Sequence, residues 1–130
     1  MSGSKDAAEP LSEAMRIQRA AADLGFDWRE VSELWSKLDE EIVELQQAIA
    51  EGHDRVQDEL GDLLFMVVNL ARHLGVDPDA ALRQANGKFN FRFGHIQKNI
   101  ESLPPMGDAQ RIDAMEALWQ EAKKLKSASD

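Results

Sequence analysis

The sequence has no cysteine and no tyrosine, and aromatic residues fill only 6% of its 130 positions. Without cysteine there is no disulfide framework, no thiolate metal site and no cysteine nucleophile. Threonine-like chemistry is scarce and no segment alternates with period two, so strands are not expected. Basic residues are outnumbered: 15 Lys and Arg face 24 Asp and Glu, a formal net charge of −9. A face that grips nucleic acid needs clustered Lys and Arg, which argues against a nucleic-acid polymer as partner. The longest apolar run, Leu63 to Val68, is six residues, far short of a membrane span. Residues 1–9 lack the apolar region of a signal peptide and read as a disordered lead. The want of cysteine fits a cytoplasmic protein.

What is present is a helical pattern. Hydrophobic residues at 43% and charged residues at 30% are ordinary for a globular chain, and residues 10–126 read as one all-α domain before a tail at 127–130. The first helix spans about Pro10 to Leu24 and stops at Gly25. A second start is marked by Asp27 and Glu30 as a capping box and Phe26 and Val31 as a staple. Val31, Leu34, Trp35, Leu38, Ile42, Leu45 and Ile49 then form an apolar stripe at helical spacing. A third helix, about Asp54 to Leu74, is apolar almost all round. Asp77 and Pro78 open a fourth, with Leu82, Ala85, Phe89, Phe93, Ile96 and Ile100 as its stripe. After Pro104-Pro105, Asp108 caps a last helix. The sum is an antiparallel bundle of four to five helices. Too few helices are present to enclose the third, so a homodimer or higher oligomer is expected.

Within this pattern two carboxylate pairs stand out. Glu41 and Glu44 precede the turn Glu51-Gly52-His53-Asp54, and Glu59 and Asp62 follow it. A short turn between helices makes an antiparallel hairpin. Glu44 then lies level with Glu59, and Glu41 with Asp62, roughly 10–15 Å from the turn at about 1.5 Å rise per residue. At 100° per residue, Glu40 points away from the flank that Lys37, Glu41 and Glu44 share. Gathered carboxylates repel one another, and a divalent cation with oxygen ligands resolves the conflict. An all-carboxylate set suits Mg2+ or Mn2+ better than the Glu-x-x-His pattern of a di-iron bundle. Gly61, between two acids, costs about 1 kcal/mol against alanine in a helix, and is expected to mark close approach by a backbone or a ligand.

Most acidic pairs three apart on a helix are solvated surface; the mirror-image second pair, in a helix this apolar, favours a site. Lys88 and Arg92, four apart, are by themselves an ordinary basic flank. Beside four acids and a metal they gain a purpose, since a polyphosphate needs cations to hold it. His53, His73 and His95 lie in separate segments and form no ligand cluster. Trp119 either packs on the bundle or stacks on a base.

Several stretches in order resemble one family: LGFDW from Leu24, KLDEEIVE from Lys37, DELGDLLFMVVNLARHLGVDPDAAL from Asp58, NGKFNFRF from Asn86 and MEALWQEAKK from Met115. Over roughly residues 13–126 the chain is similar to the MazG-type nucleoside triphosphate pyrophosphohydrolases of the all-α pyrophosphatase group, and within them to the second domain of longer two-domain members. The resemblance implies metal ligands at Glu41, Glu44, Glu59 and Asp62, and nucleotide contacts at Lys37, Lys88, Arg92 and Trp119. It implies Mg2+-dependent hydrolysis of nucleoside triphosphates to monophosphate and pyrophosphate; one carboxylate, Glu41 or Glu44, is expected to act as general base. Two rivals stand beside it: a pyrophosphatase narrowed to one non-standard or pyrimidine nucleotide, and a non-catalytic helical dimerisation module.

Overall fold

The computed structural model describes residues 9–129, so the lead expected at 1–9 falls, apart from Glu9, outside the described residues. Among them there are five α-helices and no strand, the all-α class read from the sequence. They are α1 (Pro10–Asp23), α2 (Val31–Glu51), α3 (Val56–His73), α4 (Pro78–Lys98) and α5 (Gln110–Ser129). The last runs past Lys126, into the expected tail. Short 3-10 turns occupy His53–Arg55 and Ile100–Ser102. Among the described residues no helix is long and apolar enough to cross a membrane. By internal contacts the chain divides into two compact units, residues 1–81 and 82–130.

In the first unit α2 and α3 form the expected hairpin, with α1 packed on α3. Gly52 turns the chain with φ 133° and ψ 164°, a conformation essentially confined to glycine. At the end of α1, Gly25 takes φ 94°, and the Phe26 N–H bonds back to Ala21 O at 3.0 Å. This is the six-to-one closure of a helix that ends in a left-handed residue.

The start of α2 differs from expectation. Its N-cap is Glu30, which pairs with Glu33 as the capping box, while Phe26 is 83% exposed and staples nothing. Asp27 is committed elsewhere. It accepts Arg72 Nη1 and Nη2 at 2.9 and 2.7 Å and lies 3.0 Å from His73 Nε2. Arg72 also donates to Gln18 Oε1 at 3.3 Å and to Asn69 Oδ1 at 2.9 Å. One guanidinium therefore ties α1, the following loop and α3, using the forked donor geometry that lysine lacks.

The faces also differ. Buried on α2 are Leu34, Glu41 and Ala48; on α3, Glu59, Met66, Val68 and Asn69. Trp35, Ile42 and Ile49, read above as core, are about half exposed, as are Leu60, Leu64 and Val67 on α3. The inward face is the one carrying the acids, so much of the apolar stripe is turned outward. In the second unit Ile96 and Ala122 are buried, with Phe89 stacked on Phe93 at 5.7 Å.

The Arg72 pair holds the Asp27 carboxyl well below its ordinary range, helped by His73 and the Trp28 N–H. A carboxylate depressed in the folded state stabilises fully above its unfolded value of about 4, and that support is lost as pH falls from there toward the folded value. Asp27→Asn should cost about 2 kcal/mol at neutral pH. Urea melts should show the gap to wild type narrowing between about pH 5 and about pH 3; a pH-independent gap would count against the ion pair.

Candidate metal and phosphate site

The hairpin brings the expected acids together. Glu41, Glu44 and Glu59 each offer an oxygen, all within 4.8 Å of one another. Glu59 belongs to a second such group with Asp58 and Asp62. The four acids thus meet as two triads that share Glu59, and Asp58 joins them. Asp58 was passed over in the sequence, although its i, i+4 spacing to Asp62 puts both on one helical face. Glu40 points to solvent, its side chain 64% exposed, whereas Glu41 is 5% exposed. Glu41, which the helical-face reading preferred over Glu40, is thus the buried one of the two.

Glu41 and Glu59 are buried charged groups, and each keeps one orphan oxygen, Glu41 Oε1 and Glu59 Oε2. A buried unpaired carboxylate oxygen is costly unless something positive meets it. The partners present are partial. Lys37 Nζ lies 3.4 Å from Glu41 Oε2 and 3.6 Å from Glu40, and its pKa is raised chiefly by Glu41. Arg55 Nη2 meets Glu59 Oε1 at 2.7 Å. Crowding shows in the neighbours: Glu44 is pushed up first by the Glu41 charge, then by desolvation and Glu59. Asp62 is pushed up first by desolvation, then by Asp58, Glu41 and Glu59. Hard oxygen donors, close spacing and orphaned buried oxygens together fit a divalent cation such as Mg2+.

Asp62 and Gly61 line an open cleft with Asp54, Gln57 and Asp58. No atom outside Gly61's own helix backbone and immediate neighbours would lie within 4 Å of a Cβ placed there. The expected approach by a backbone is therefore absent among the described residues, and Gly61 faces free space.

Further along α3 lies an apolar cavity of about 460 Å³, lined by Ile17, Phe26, Trp28, Phe65 and Met66, with the Gln18 and Asn69 amides among its walls. Asn69 stands seven residues beyond Asp62, about 10 Å along the helix. Sequence reasoning missed this cavity because its walls come from three separate segments.

Lys88, Arg92 and Trp119 belong to the second unit. Lys88 is exposed, while Arg92 and Trp119 are half-buried. The Arg92 guanidinium carbon sits 5.3 Å from the Trp119 ring centroid, a cation–π contact. Phe89 lies 5.5 Å from the same ring at a tilted angle. Arg92 Nε is buried without a hydrogen-bond partner. His95 pairs with Glu121 at 3.0 Å and His73 with Asp27, so two of the three histidines have structural partners.

Comparison with known proteins places the chain in a family. The phosphoribosyl-ATP pyrophosphohydrolase family profile matches residues 9–88. A relative from Thermotoga maritima, named nucleoside triphosphate pyrophosphohydrolase/pyrophosphatase MazG, is 40% identical over 113 residues, covering 87% of this chain and 44% of the relative. A nucleoside triphosphate pyrophosphohydrolase of Escherichia coli is 36% identical over 118 residues, covering 88% of this chain and 44% of the relative. The chain therefore spans about half the length of these curated relatives. By these matches the chain belongs to the phosphoribosyl-ATP pyrophosphohydrolase family as a MazG-type member.

Proposed function

We propose that this protein hydrolyses nucleoside triphosphates to the monophosphate and pyrophosphate, with Mg2+ or Mn2+ held by Glu41, Glu44, Glu59 and Asp62. The observation that carries the reading is the pair of orphaned, buried carboxylate oxygens on Glu41 and Glu59 in the midst of the acid cluster. Bound there, the cation would supply Lewis acidity toward phosphate oxygens and a water of lowered pKa. The named relatives support the choice of substrate and bond.

The chain's own groups have separable parts in this scheme. Glu44, pushed up by its acidic neighbours, or Glu41 beside it would take the proton from the attacking water. Lys37 would turn from Glu41 toward the phosphates. Lys88 and Arg92 would offset charge developing on them, an electrostatic role. Trp119 would serve substrate binding with Arg92, whose guanidinium it carries. The cavity along α3 lies within a nucleotide's length of the acids and would receive the nucleoside end. A nucleotide substrate gives the cytoplasm as the working compartment, with neither membrane nor nucleic-acid polymer as partner.

The working unit is proposed as a homo-oligomer, at least a dimer. Its support is the set of half-exposed apolar side chains at helical spacing, Trp35, Ile42 and Ile49 on α2 and Leu60, Leu64 and Val67 on α3, of the kind that subunit interfaces cover. Sedimentation should give a dimer or larger at micromolar concentration, and Ile42→Glu should shift it toward monomer. A stable wild-type monomer would rule this out.

Alanine substitutions test the site. Glu59→Ala or Asp62→Ala should lower kcat at least about 1000-fold, as expected when metal-assisted attack is lost. The metal-free fold should survive, with an unchanged or higher melting temperature as repulsion falls. Glu40→Ala should stay within a few-fold of wild type; phosphorus NMR of the products reads both. Equal damage from Glu40→Ala and Glu41→Ala would remove the assignment.

Trp119→Ala should raise KM for several nucleoside triphosphates by a similar factor and alter kcat less, the pattern of binding lost equally from ground and transition states. An unfolded variant or an unchanged KM would return Trp119 to a packing role.

A further inference from the structure

Each of the two buried acids has a chain cation four residues before it on the same face. Lys37 stands so to Glu41, and Arg55 to Glu59. The two arrangements are unequal. Lys37 divides itself between Glu40 and Glu41 at 3.6 and 3.4 Å, whereas Arg55 makes a direct 2.7 Å charge-assisted hydrogen bond to Glu59 Oε1. Glu59 is also the residue that both oxygen triads share. An ion in either triad draws on the carboxylate that Arg55 already holds.

We infer that Arg55 is a built-in counter-cation of the metal-free protein, competing with the divalent ion for Glu59 and setting how tightly the shared carboxylate takes metal. The inference rests on the metal reading above. Three observations carry it. Glu59 is 6% exposed, and its other oxygen is buried and unpartnered, so without a metal it depends on Arg55 for charge balance. Arg55 itself is 55% exposed on its side chain, at the 3-10 turn before α3, so its guanidinium can withdraw into water at little cost. Its second hydrogen bond, 3.2 Å to Glu51 at the end of α2, offers a resting place once Glu59 is taken. Arg55 occupies Oε1 and leaves Oε2 to an ion, so the competition is one of charge: the guanidinium draws on the carboxylate's negative charge and repels a cation brought to its other oxygen. Arg55 is thus a positioning residue that acts through Glu59.

Calorimetric titration with Mg2+ alone, on the full chain without nucleotide, tests this. Arg55→Gln should bind Mg2+ roughly two- to five-fold tighter than wild type, the upper span of a surface ion pair removed, and melt lower when metal-free. Arg29→Gln is the charge control, because Arg29 pairs with Glu33 away from the acids, and it should leave Mg2+ affinity unchanged. In wild type, nitrogen NMR of the arginine side chains should show the Arg55 guanidinium shifting as Mg2+ is added while Arg16, paired with Glu13, stays still. This readout stands even if Arg55→Gln fails to fold. Mg2+ binding with equal or weaker affinity in Arg55→Gln, or with an unmoved Arg55 signal, overturns the inference and leaves the metal site standing. Failure of Mg2+ to bind either protein overturns both.

Discussion

The burial of two carboxylates between α2 and α3 is the constraint around which the first unit is arranged. Glu41 and Glu59 occupy positions where a stable helical hairpin would ordinarily carry leucine. Putting charge there turns apolar residues outward on both helices and brings Lys37 and Arg55 to the rim as partial counter-charges. A hairpin made for stability alone would gain by replacing these ionic groups with well-packed apolar ones. Under the metal reading proposed above, the loss would be offset by a cation that binds only the folded arrangement.

Much of the candidate acid cluster was legible because helical hairpins obey arithmetic. Equal distance from a turn puts Glu44 opposite Glu59, and 100° per residue separates Glu41 from Glu40. No knowledge of the rest of the chain is needed for either step. The Asp27–Arg72 pair was not legible in this way. Its members stand 45 residues apart, and Asp27 carries a strong local signal for helix capping that a distant guanidinium overrides. Glu30 and Glu33 take over the cap because they are the next acidic pair with suitable spacing.

The outward stripe was misassigned for a different reason. Periodicity identifies which residues share a face but not which face is turned inward when an amphipathic helix has acids on one side and apolar groups on the other. Trp35, Ile42 and Ile49 satisfy every criterion for a core stripe. Yet of that stripe Leu34 is the buried member, and Glu41 and Ala48 share the inward side with it. Asp58 shows the converse: an exposed acid beside a recognised motif looks like ordinary surface until the fold sets its oxygen near those of Glu59 and Asp62.

The two ways in which the first unit is fastened differ in their cost of chain closure. Glu44 and Glu59 meet across fifteen residues of hairpin, while the Asp27–Arg72 clamp closes a loop three times as long. On logarithmic scaling the longer closure costs about 1 kcal/mol more in entropy. It is also the fastening that leaves Asp27 partly in solvent. Release of the clamp frees the loop that carries Phe26, Asp27 and Trp28, which are walls of the cavity along α3. The acids, held by their own short hairpin, stay in register. The fold thus separates a part that can breathe from a part that must not, and the division between them follows from sequence separation.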